Sequence, residues 1–267
     1  MSKLWNDGRR FTGRVALVTG GGGVLGGATA RALGAEGARV AVSFRTSREA
    51  ADEVVAAIGV GGGEAFAVHL DVSDVASAEA AVAAVVDRFG GLDVLVNAAG
   101  RIDAADAVRF AEADVDGLQT LLDTDVLGTM RMCQAARPHL EQSGSAAIVN
   151  FSGSYGNGVN QDNLVNSVAV GYSAAKGAIR GFTAALARDL APRIRVNAVS
   201  PGAIAADWDL DWNIPPEHVT EALAMTPLGR LGEAMEIAET VLFLASDGGG
   251  YVTGQILQVD GGWVMPG

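Results

Sequence analysis

The sequence has little of three things that would indicate other classes of protein. Cys133 is the only cysteine among the 267 residues, which excludes internal disulfides and cysteine-cluster metal sites. No apolar run approaches the roughly 18 residues that a membrane-spanning helix needs. The 19 basic residues are outnumbered by 31 acidic ones, which gives a net charge of −12. Because nucleic acids and anionic membranes require a basic surface, we expect neither as a partner.

Other absences limit the location and the metal chemistry. The three histidines show no ligand spacing, so no metal is expected. Residues 1–12 mix charged and polar side chains and lack the apolar segment of a secretory signal, which predicts a cytoplasmic protein. With 49% hydrophobic residues, the chain is long enough for one α/β domain over residues 1–267, in which residues 1–12 form an N-terminal extension.

Short apolar runs alternate with helical patterns from Arg14 onward. Val15–Thr19 is the first run, and about six more follow, each separated from the next by a helical segment. Continuous apolar strands that alternate with helices predict a parallel sheet covered on both faces. We therefore predict a single α/β domain, a doubly wound parallel sheet of about seven strands that binds its ligand at the carboxyl ends of the strands.

A glycine cluster follows the first strand and opens the first helix. Gly21, Gly23 and Gly26 have the spacing G-x-G-x-x-G. Glycines allow a tight turn and a close approach of the backbone to a pyrophosphate, and the helix N-terminus adds unpaired N–H groups. In this strand-turn-helix context the cluster predicts a dinucleotide site, and the alternative is a purely structural glycine turn.

The end of the second strand predicts which dinucleotide binds. No acidic residue lies between Val40 and Arg48, where an NAD site usually places one for the ribose 2′-hydroxyl, and Arg45 is suited to a 2′-phosphate. Thr46 and Glu49 have capping-box spacing, which predicts a helix start beside Arg45. These features favour NADP(H), and the alternative is a pair of exposed arginines on a solvated turn.

Tyr172 and Lys176 have the spacing of a proton-transfer pair. Four residues apart on a helix, they would lie on one face, one turn from each other. A nearby ammonium group stabilises phenolate, which moves the pKa of the tyrosine from about 10 toward a useful range.

Taken in order, the motifs resemble the short-chain dehydrogenase/reductase family from about Arg14 to Val264. They are the glycine turn after Thr19, Asp71-Val72, Asn97 to Gly100, Tyr172-x-x-x-Lys176, Arg195 to Gly202, Pro227 to Arg230, Tyr251 to Gly254 and Val259 to Gly262. The resemblance implies a Rossmann-type fold, hydride transfer between a nicotinamide and a carbonyl or alcohol, and a homodimer or homotetramer.

The resemblance also implies roles for individual residues. Tyr172 would protonate the carbonyl oxygen, and Lys176 would hold the nicotinamide ribose and tune Tyr172. Together with these two, the expected cofactor contacts are Gly20, Gly22, Gly23, Leu25, Arg45, Thr46, Asp71, Val72, Asn97, Gly100, Pro201, Gly202 and Ile204.

Two departures from the family concern the glycine turn and the catalytic serine. Val24 stands where the family usually has glycine, and Gly23 would take over that role. Gly153 occupies the position of the catalytic serine, and losing such a hydrogen-bond donor typically costs about 100- to 1000-fold in rate. Ser154 is our candidate replacement, although alternation along the strand would point both it and Ser152 away. Asn157 or Asn160, in a polar stretch before Tyr172, are further candidates.

A third departure is Asp125, where the family has asparagine. With another charge about 6 Å away and an effective dielectric of about 20, the Coulomb interaction of its carboxylate is near 3 kcal/mol, which corresponds to a pKa shift of roughly two units. A carboxylate that pairs with Lys176 would oppose the lowering of the Tyr172 pKa and favour reduction over alcohol oxidation. The alternative is an aspartate that serves only as a structural cap.

Residues 203–218 resemble the family's substrate lid, and their aspartates disfavour a strongly anionic substrate. The leading interpretation is an NADPH-dependent reductase of a ketone, or a related unsaturated group, in a small metabolite. Two alternatives stay open: an isomerase, cyclase or lyase that uses Tyr172 without net redox chemistry, and a redox-inactive nucleotide-binding protein.

Overall fold

The computed structural model of the chain describes residues 9–100, 114–116, 118–157, 169–205 and 216–265. Within these ranges seven parallel strands form one sheet in the order β3-β2-β1-β4-β5-β6-β7. The strands are β1 (Val15–Thr19), β2 (Arg39–Phe44), β3 (Glu64–His69), β4 (Val94–Asn97), β5 (Ala146–Phe151), β6 (Ile194–Pro201) and β7 (Ile256–Val259). The predicted doubly wound sheet is confirmed.

Helices cover both faces of the sheet. They are α1 (Val24–Ala35), α2 (Arg48–Val60), α3 (Val75–Phe89), α4 (Leu118–Leu122), α5 (Gly128–Leu140), α6 (Val170–Leu190), α7 (Pro216–Met225) and α8 (Ala234–Ala245). A π-helical turn, Asp123–Leu127, joins α4 to α5 without a break, and a 3₁₀ turn, Ser154–Asn157, follows β5. None of the helices in the described ranges combines the length and the hydrophobicity that a membrane span requires.

Alternation along β1 separates two hydrophobic cores. Ala16 and Val18 pack into the core under α1, α2 and α8, whereas Val15 and Leu17 pack into the core under α3 and α5. Successive side chains of a strand point to opposite faces, so a strand buried on both faces is apolar along most of its length. Residues 15–18 of β1 are all apolar, and the buried Thr19 ends the strand.

The strand order opens a crevice at the carboxyl ends of β1 and β4. The chain runs outward from β1 to β2 and β3 and then returns to the other side of β1 as β4. The connections after β1 and β4 therefore lead to helices on opposite faces of the sheet, which leaves a crevice at the point where a doubly wound fold binds its ligand.

Two expected boundaries differ in the structure. Ser47, not Thr46, caps α2, because its hydroxyl accepts a hydrogen bond from the Ala50 N–H at 3.4 Å. Within the predicted N-terminal extension, Phe11 is fully buried, and its N–H donates to the Glu36 carbonyl at 3.0 Å. This end of the extension therefore packs against the domain. Of the predicted lid, residues 206–215 lie outside the described residues.

Candidate active site

Tyr172 and Lys176 lie one turn apart on α6. The Lys176 Nζ atom is 5.2 Å from the centre of the Tyr172 ring, which brings the ammonium group close to the phenol. Lys176 is buried, whereas Tyr172 is half-buried. The helix spacing therefore produces the pairing that the sequence predicts, with the phenol on the more accessible side.

Asp125 completes a buried ion pair with Lys176. The Asp125 Oδ2 atom is 2.8 Å from Lys176 Nζ, and 0% of the aspartate side chain and 7% of the lysine side chain are exposed. Asp125 lies in the middle of the π-helical turn Asp123–Leu127, and such turns occur frequently at functional sites. Burial by itself lowers the pKa of Lys176, but the charges of Tyr172 and Asp125 outweigh it, so the pKa lies above its ordinary value.

Gly153 lies directly beside this pair, in the segment that follows β5. A Cβ atom at Gly153 would be 3.7 Å from the Tyr172 phenol oxygen and 3.6 Å from the Lys176 Cγ atom, both ordinary contacts. Three residues on, a Cβ atom at Gly156 would be only 2.8 Å from the Lys176 carbonyl oxygen, so glycine lets this turn pack on α6. The backbone thus holds position 153 against the phenol.

The serines on either side of Gly153 direct their hydroxyl groups elsewhere. The Ser152 hydroxyl donates to the Lys176 carbonyl at 3.0 Å. The Ser154 hydroxyl donates to the Pro201 carbonyl at 3.0 Å and lies 3.2 Å from the Asp260 carboxylate. Asn157 donates its amide to the Ser154 carbonyl at 3.0 Å. These bonds hold the three side chains in the protein scaffold. Asn160 lies outside the described residues.

Tyr155 is a neighbour of the site that the sequence analysis did not single out. Its ring packs edge-on against Tyr172, with ring centres 5.8 Å apart, and against Trp263, with ring centres 6.2 Å apart. Burial, and secondarily the proximity of Tyr172, raises the pKa of Tyr155. In the sequence, only the position of Tyr155 two residues after Gly153 indicates that its ring lies beside Tyr172.

The glycine turn after β1 has the close approaches that a dinucleotide site needs. A Cβ atom at Gly26 would be 2.3 Å from the Gly20 carbonyl oxygen, and one at Gly21 would be 2.7 Å from the Val42 side chain. Gly22 lies against the first turn of α2, and a Cβ atom at Gly22 would be 3.1 Å from the Ala51 nitrogen. Gly23 is the N-cap of α1 and provides no side-chain cap, so the first-turn amides of this helix face the turn.

Contacts between backbone segments connect the glycine turn to the ion pair. A Cβ atom at Gly20 would lie 2.9 Å from the Ala99 Cα atom, and the Thr19 hydroxyl accepts the Ala99 N–H at 2.9 Å. A Cβ atom at Gly100, the next residue, would lie 3.1 Å from Asp125 Oδ2 and 3.3 Å from Lys176 Nζ. The segment after β4 therefore places the predicted dinucleotide turn next to the predicted proton-transfer pair.

Arg45 and Asp71 lie at the edge of the turn, beyond β2 and β3. Arg45 and Thr46 are exposed. The Ser73 hydroxyl and N–H, with a smaller contribution from Arg45, lower the pKa of Asp71 below its ordinary value. Arg48 instead forms an ion pair with Asp52 at 3.2 Å. Of the two arginines, Arg48 has an ion pair, and Arg45 has none among the described residues.

The other expected cofactor positions line the same edge of the sheet. Asn97 is buried at the end of β4, where its amide donates to Asn150 Oδ1 at 2.9 Å, and its own buried Oδ1 atom accepts no hydrogen bond from the described part of the chain. Gly202 approaches Asp260 so closely that a Cβ atom would be 2.6 Å from the Asp260 Cβ atom. The remaining positions are Leu25, partly buried, Val72, buried beside Gly128, Pro201 at the end of β6, and Ile204, buried in the core.

These features fit a bound dinucleotide. The glycine turn leaves no room for side chains at Gly21 and Gly26, which lets backbone amides approach a pyrophosphate. A nicotinamide held near Gly100 would supply a hydride next to a phenol that can transfer a proton. The arrangement can therefore support carbonyl reduction or the reverse alcohol oxidation.

Gly26→Ala is expected to damage the turn. Its methyl group would overlap the Gly20 carbonyl, so the turn must open, at a cost of about 1–3 kcal/mol in the free energy of unfolding and a loss of dinucleotide affinity. Thermal unfolding and calorimetry with NADPH measure the two effects. Gly181→Ala on α6 is the control, because its Cβ atom would have no neighbour within 4 Å in the ranges that the structure describes.

Comparison with known proteins gives the family. Residues 23–264 match the family described as enoyl-(acyl carrier protein) reductase. An uncharacterized oxidoreductase of Methylorubrum extorquens is 41% identical over 95% of this chain and 98% of its own length. A 3-oxoacyl-[acyl-carrier-protein] reductase of Staphylococcus aureus is 38% identical over 94% of this chain and 98% of its own.

A solved structure agrees with these sequence relatives. A short-chain dehydrogenase of Burkholderia cenocepacia in complex with NADP superposes with a TM-score of 0.84 at 33% identity, covering 95% of this chain and 99% of that one. The relatives share the fold over nearly their whole length, and their names describe oxidoreductases. The chain therefore belongs to the short-chain dehydrogenase/reductase family and is an oxidoreductase of that family.

Proposed function

We propose that this oxidoreductase uses NADPH to reduce a ketone, or a related unsaturated group, of a small, neutral or cyclic metabolite in the cytoplasm. The observation that carries the proposal is the position of Tyr172. Its phenol adjoins the open position at Gly153 and the buried Lys176–Asp125 pair, and Gly100 connects that pair to the glycine turn.

In the proposed reaction the chain positions the substrate and moves one proton. When bound, the reduced nicotinamide supplies a hydride to the carbonyl carbon. Tyr172 donates its phenolic proton to the carbonyl oxygen, which becomes the hydroxyl of the product. Lys176, held at 2.8 Å from Asp125, has little freedom to move, so its ammonium group keeps a fixed place beside the phenol.

Three features support NADPH rather than NADH. Arg45 is exposed at the end of β2 and has no ion pair among the described residues. No acidic residue lies between Val40 and Arg48 to bind a ribose 2′-hydroxyl. The Burkholderia cenocepacia relative is in complex with NADP. A 2′-phosphate would meet positive charge from Arg45 at this edge of an otherwise acidic chain.

Arg45→Ala is expected to weaken NADPH binding by about 10- to 100-fold, because a hydrogen bond to a charged group contributes about 1.5–3 kcal/mol. NADH binding should stay nearly the same. Calorimetry with both cofactors checks this prediction, and Arg193→Ala is the matched control, since Arg193 is exposed before β6 at the opposite edge of the sheet. An equal loss for both cofactors would contradict the assignment of the 2′-phosphate to Arg45.

The direct test of the function is absorbance at 340 nm during single turnover with a panel of cyclic and acyclic ketones. The proposal predicts oxidation of NADPH in step with formation of the alcohol. NADPH that binds but is not oxidised by any ketone of the panel would count against it.

Asp125→Asn is expected to move the acid limb of the alcohol-oxidation pH profile to lower pH, by up to about two units. The carboxylate partly cancels the field of the Lys176 ammonium group, with which it is paired at 2.8 Å. Removing the negative charge leaves the positive field acting on the Tyr172 phenol, and this favours phenolate at lower pH. An unchanged profile would show that Asp125 does not tune the phenol.

A second candidate function is supported by the replacement of two family residues, by Gly153 and Asp125. A site that lacks the serine donor but retains Tyr172 is suited to isomerisation, cyclisation or elimination by proton transfer alone. Formation of product without consumption of NADPH distinguishes this function from reduction.

A further inference from the structure

The space at Gly153 is not required by packing. Its backbone is outside the left-handed region, and among the described residues a Cβ atom would make two contacts within 4 Å, both of ordinary length, one with Lys176 and one with the Tyr172 phenol oxygen. Gly156, by contrast, must be glycine because α6 approaches it too closely. A side chain is thus sterically allowed at position 153, and its absence leaves room for one more group beside the reacting phenol.

A hydrogen-bond donor in that space would assist the proposed reaction. A hydroxyl group one bond beyond the Gly153 Cβ position would reach the carbonyl oxygen of a substrate that is hydrogen-bonded to the Tyr172 phenol. Negative charge develops on that oxygen during carbonyl reduction, and donors aimed at it lower the barrier. The described neighbours Ser152, Ser154 and Asn157 already donate to backbone carbonyls at 3.0 Å each.

We propose that the substrate supplies this donor itself, as a hydroxyl group on the carbon next to the carbonyl. The inference rests on the proposed ketone reduction and names its substrate class: α-hydroxy ketones, which are reduced to 1,2-diols. The substrate hydroxyl occupies the space at Gly153 and donates to the neighbouring oxygen as charge builds up there. Open space and donor are complementary, because a larger residue 153 would exclude the hydroxyl.

The reaction balances with the groups already named. The carbonyl carbon receives the hydride of NADPH, the carbonyl oxygen receives the Tyr172 proton, and the C=O double bond becomes a secondary alcohol while NADPH becomes NADP⁺. The neighbouring hydroxyl keeps its own proton throughout. Solvent returns a proton to Tyr172 before the next turnover.

The test compares three ketones of the same ring size: 2-hydroxycyclohexanone, 2-methoxycyclohexanone and cyclohexanone. The wild-type protein is expected to show a kcat/KM for the hydroxy ketone that is about 100-fold above that for the other two. The methoxy compound is the matched control, since it has an oxygen at the same carbon and no proton to donate. Equal kcat/KM for the hydroxy and methoxy ketones would overturn the proposal.

Two variants at one position separate the donor from the space. Gly153→Ser is expected to raise kcat/KM for cyclohexanone by about 10- to 100-fold and to abolish the preference. Gly153→Ala fills the space without adding a donor. This variant should therefore have a lower kcat/KM for the hydroxy ketone and an equally low kcat/KM for cyclohexanone. A preference that survives in Gly153→Ala would show that the hydroxyl lies elsewhere and would overturn the proposal.

Binding provides a readout that does not depend on turnover. In the presence of NADPH no hydride can pass to an alcohol, so calorimetry can compare 1,2-cyclohexanediol with cyclohexanol. The diol should bind about tenfold more tightly to the wild-type protein, which is about 1.4 kcal/mol, and the difference should disappear in Gly153→Ala. If NADPH binds, no ketone is reduced and this difference remains, the proposed redox function fails while the assignment of the space stands.

Tyr155 is the remaining phenol beside the site, and Tyr155→Phe tests it while keeping its ring packing on Tyr172. If the substrate is the donor, this variant keeps the preference for the hydroxy ketone. If its preference is lost, Tyr155 makes the contact and the proposal is overturned.

Discussion

Tyr172→Phe is expected to lower kcat by about 10²- to 10⁴-fold, the range that general acid catalysis contributes. The substitution removes one oxygen atom and keeps the ring, which packs edge-on against Tyr155 and lies 5.2 Å from the Lys176 ammonium group. The fold and the glycine turn should therefore be retained, and NADPH affinity should fall by no more than about tenfold, the contribution of one hydrogen bond. Stopped-flow absorbance and calorimetry measure the two quantities on the same preparation.

Tyr251→Phe is the control for this experiment, because Tyr251 is fully exposed outside the site. It should turn over like the wild-type protein. Full activity of Tyr172→Phe would exclude the phenol as the proton donor. Loss of activity together with loss of NADPH binding would mean that the substitution acts through the cofactor site instead.

Asp125→Ala is expected to lower the free energy of unfolding by about 3–5 kcal/mol, the usual cost of removing one partner of a buried ion pair. Lys176 would keep its buried position without the carboxylate that stands 2.8 Å from its Nζ atom. Chemical denaturation measures the loss. Asp125→Asn should cost less, because its amide oxygen can still accept a hydrogen bond from Lys176.

The sign of the pH dependence follows from Lys176. Because its folded-state pKa is raised, the stability that it contributes is fully present below its unfolded value of about 10.4 and is lost as pH rises through the folded value. The difference in the free energy of unfolding between the wild-type protein and Asp125→Ala should stay constant from about pH 6 to 9 and become smaller above about pH 10. A variant as stable as the wild type at pH 7 would show that the pair contributes nothing to folding.

Much of the fold could be predicted from the sequence, because it rests on local patterns. The apolar residues 15–18, followed by Thr19 and a glycine cluster, predict a strand buried on both faces and a tight turn, and the structure has both. The start of α2 was harder to predict. Thr46 and Glu49 have the capping-box spacing, but the hydroxyl of Ser47 forms the cap, since neighbouring serine and threonine offer the backbone similar hydrogen bonds.

The site was predictable where spacing decides it and not where tertiary contacts do. Four residues of helix bring Tyr172 and Lys176 together in any helical context. The direction of the Ser154 hydroxyl depends on the Pro201 carbonyl and on Asp260, which is 106 residues further along the chain. No local pattern contains that information. The ring of Tyr155 on Tyr172 is likewise set by the way the turn Ser154–Asn157 packs on α6.

The π-helical turn Asp123–Leu127 determines which residue faces Lys176. A π turn holds one residue more than the same stretch of α-helix and accommodates it locally, so the side chains within the turn point in other directions than in a regular helix, where successive residues are about 100° apart. Deleting Thr124 to restore a regular helix would thus swing the carboxylate away from the ammonium group even though every other amino acid stayed the same. The buried charge pair is consequently encoded by the length of this segment as much as by its composition, and grafting Asp125 onto a relative with a regular helix would not reproduce it.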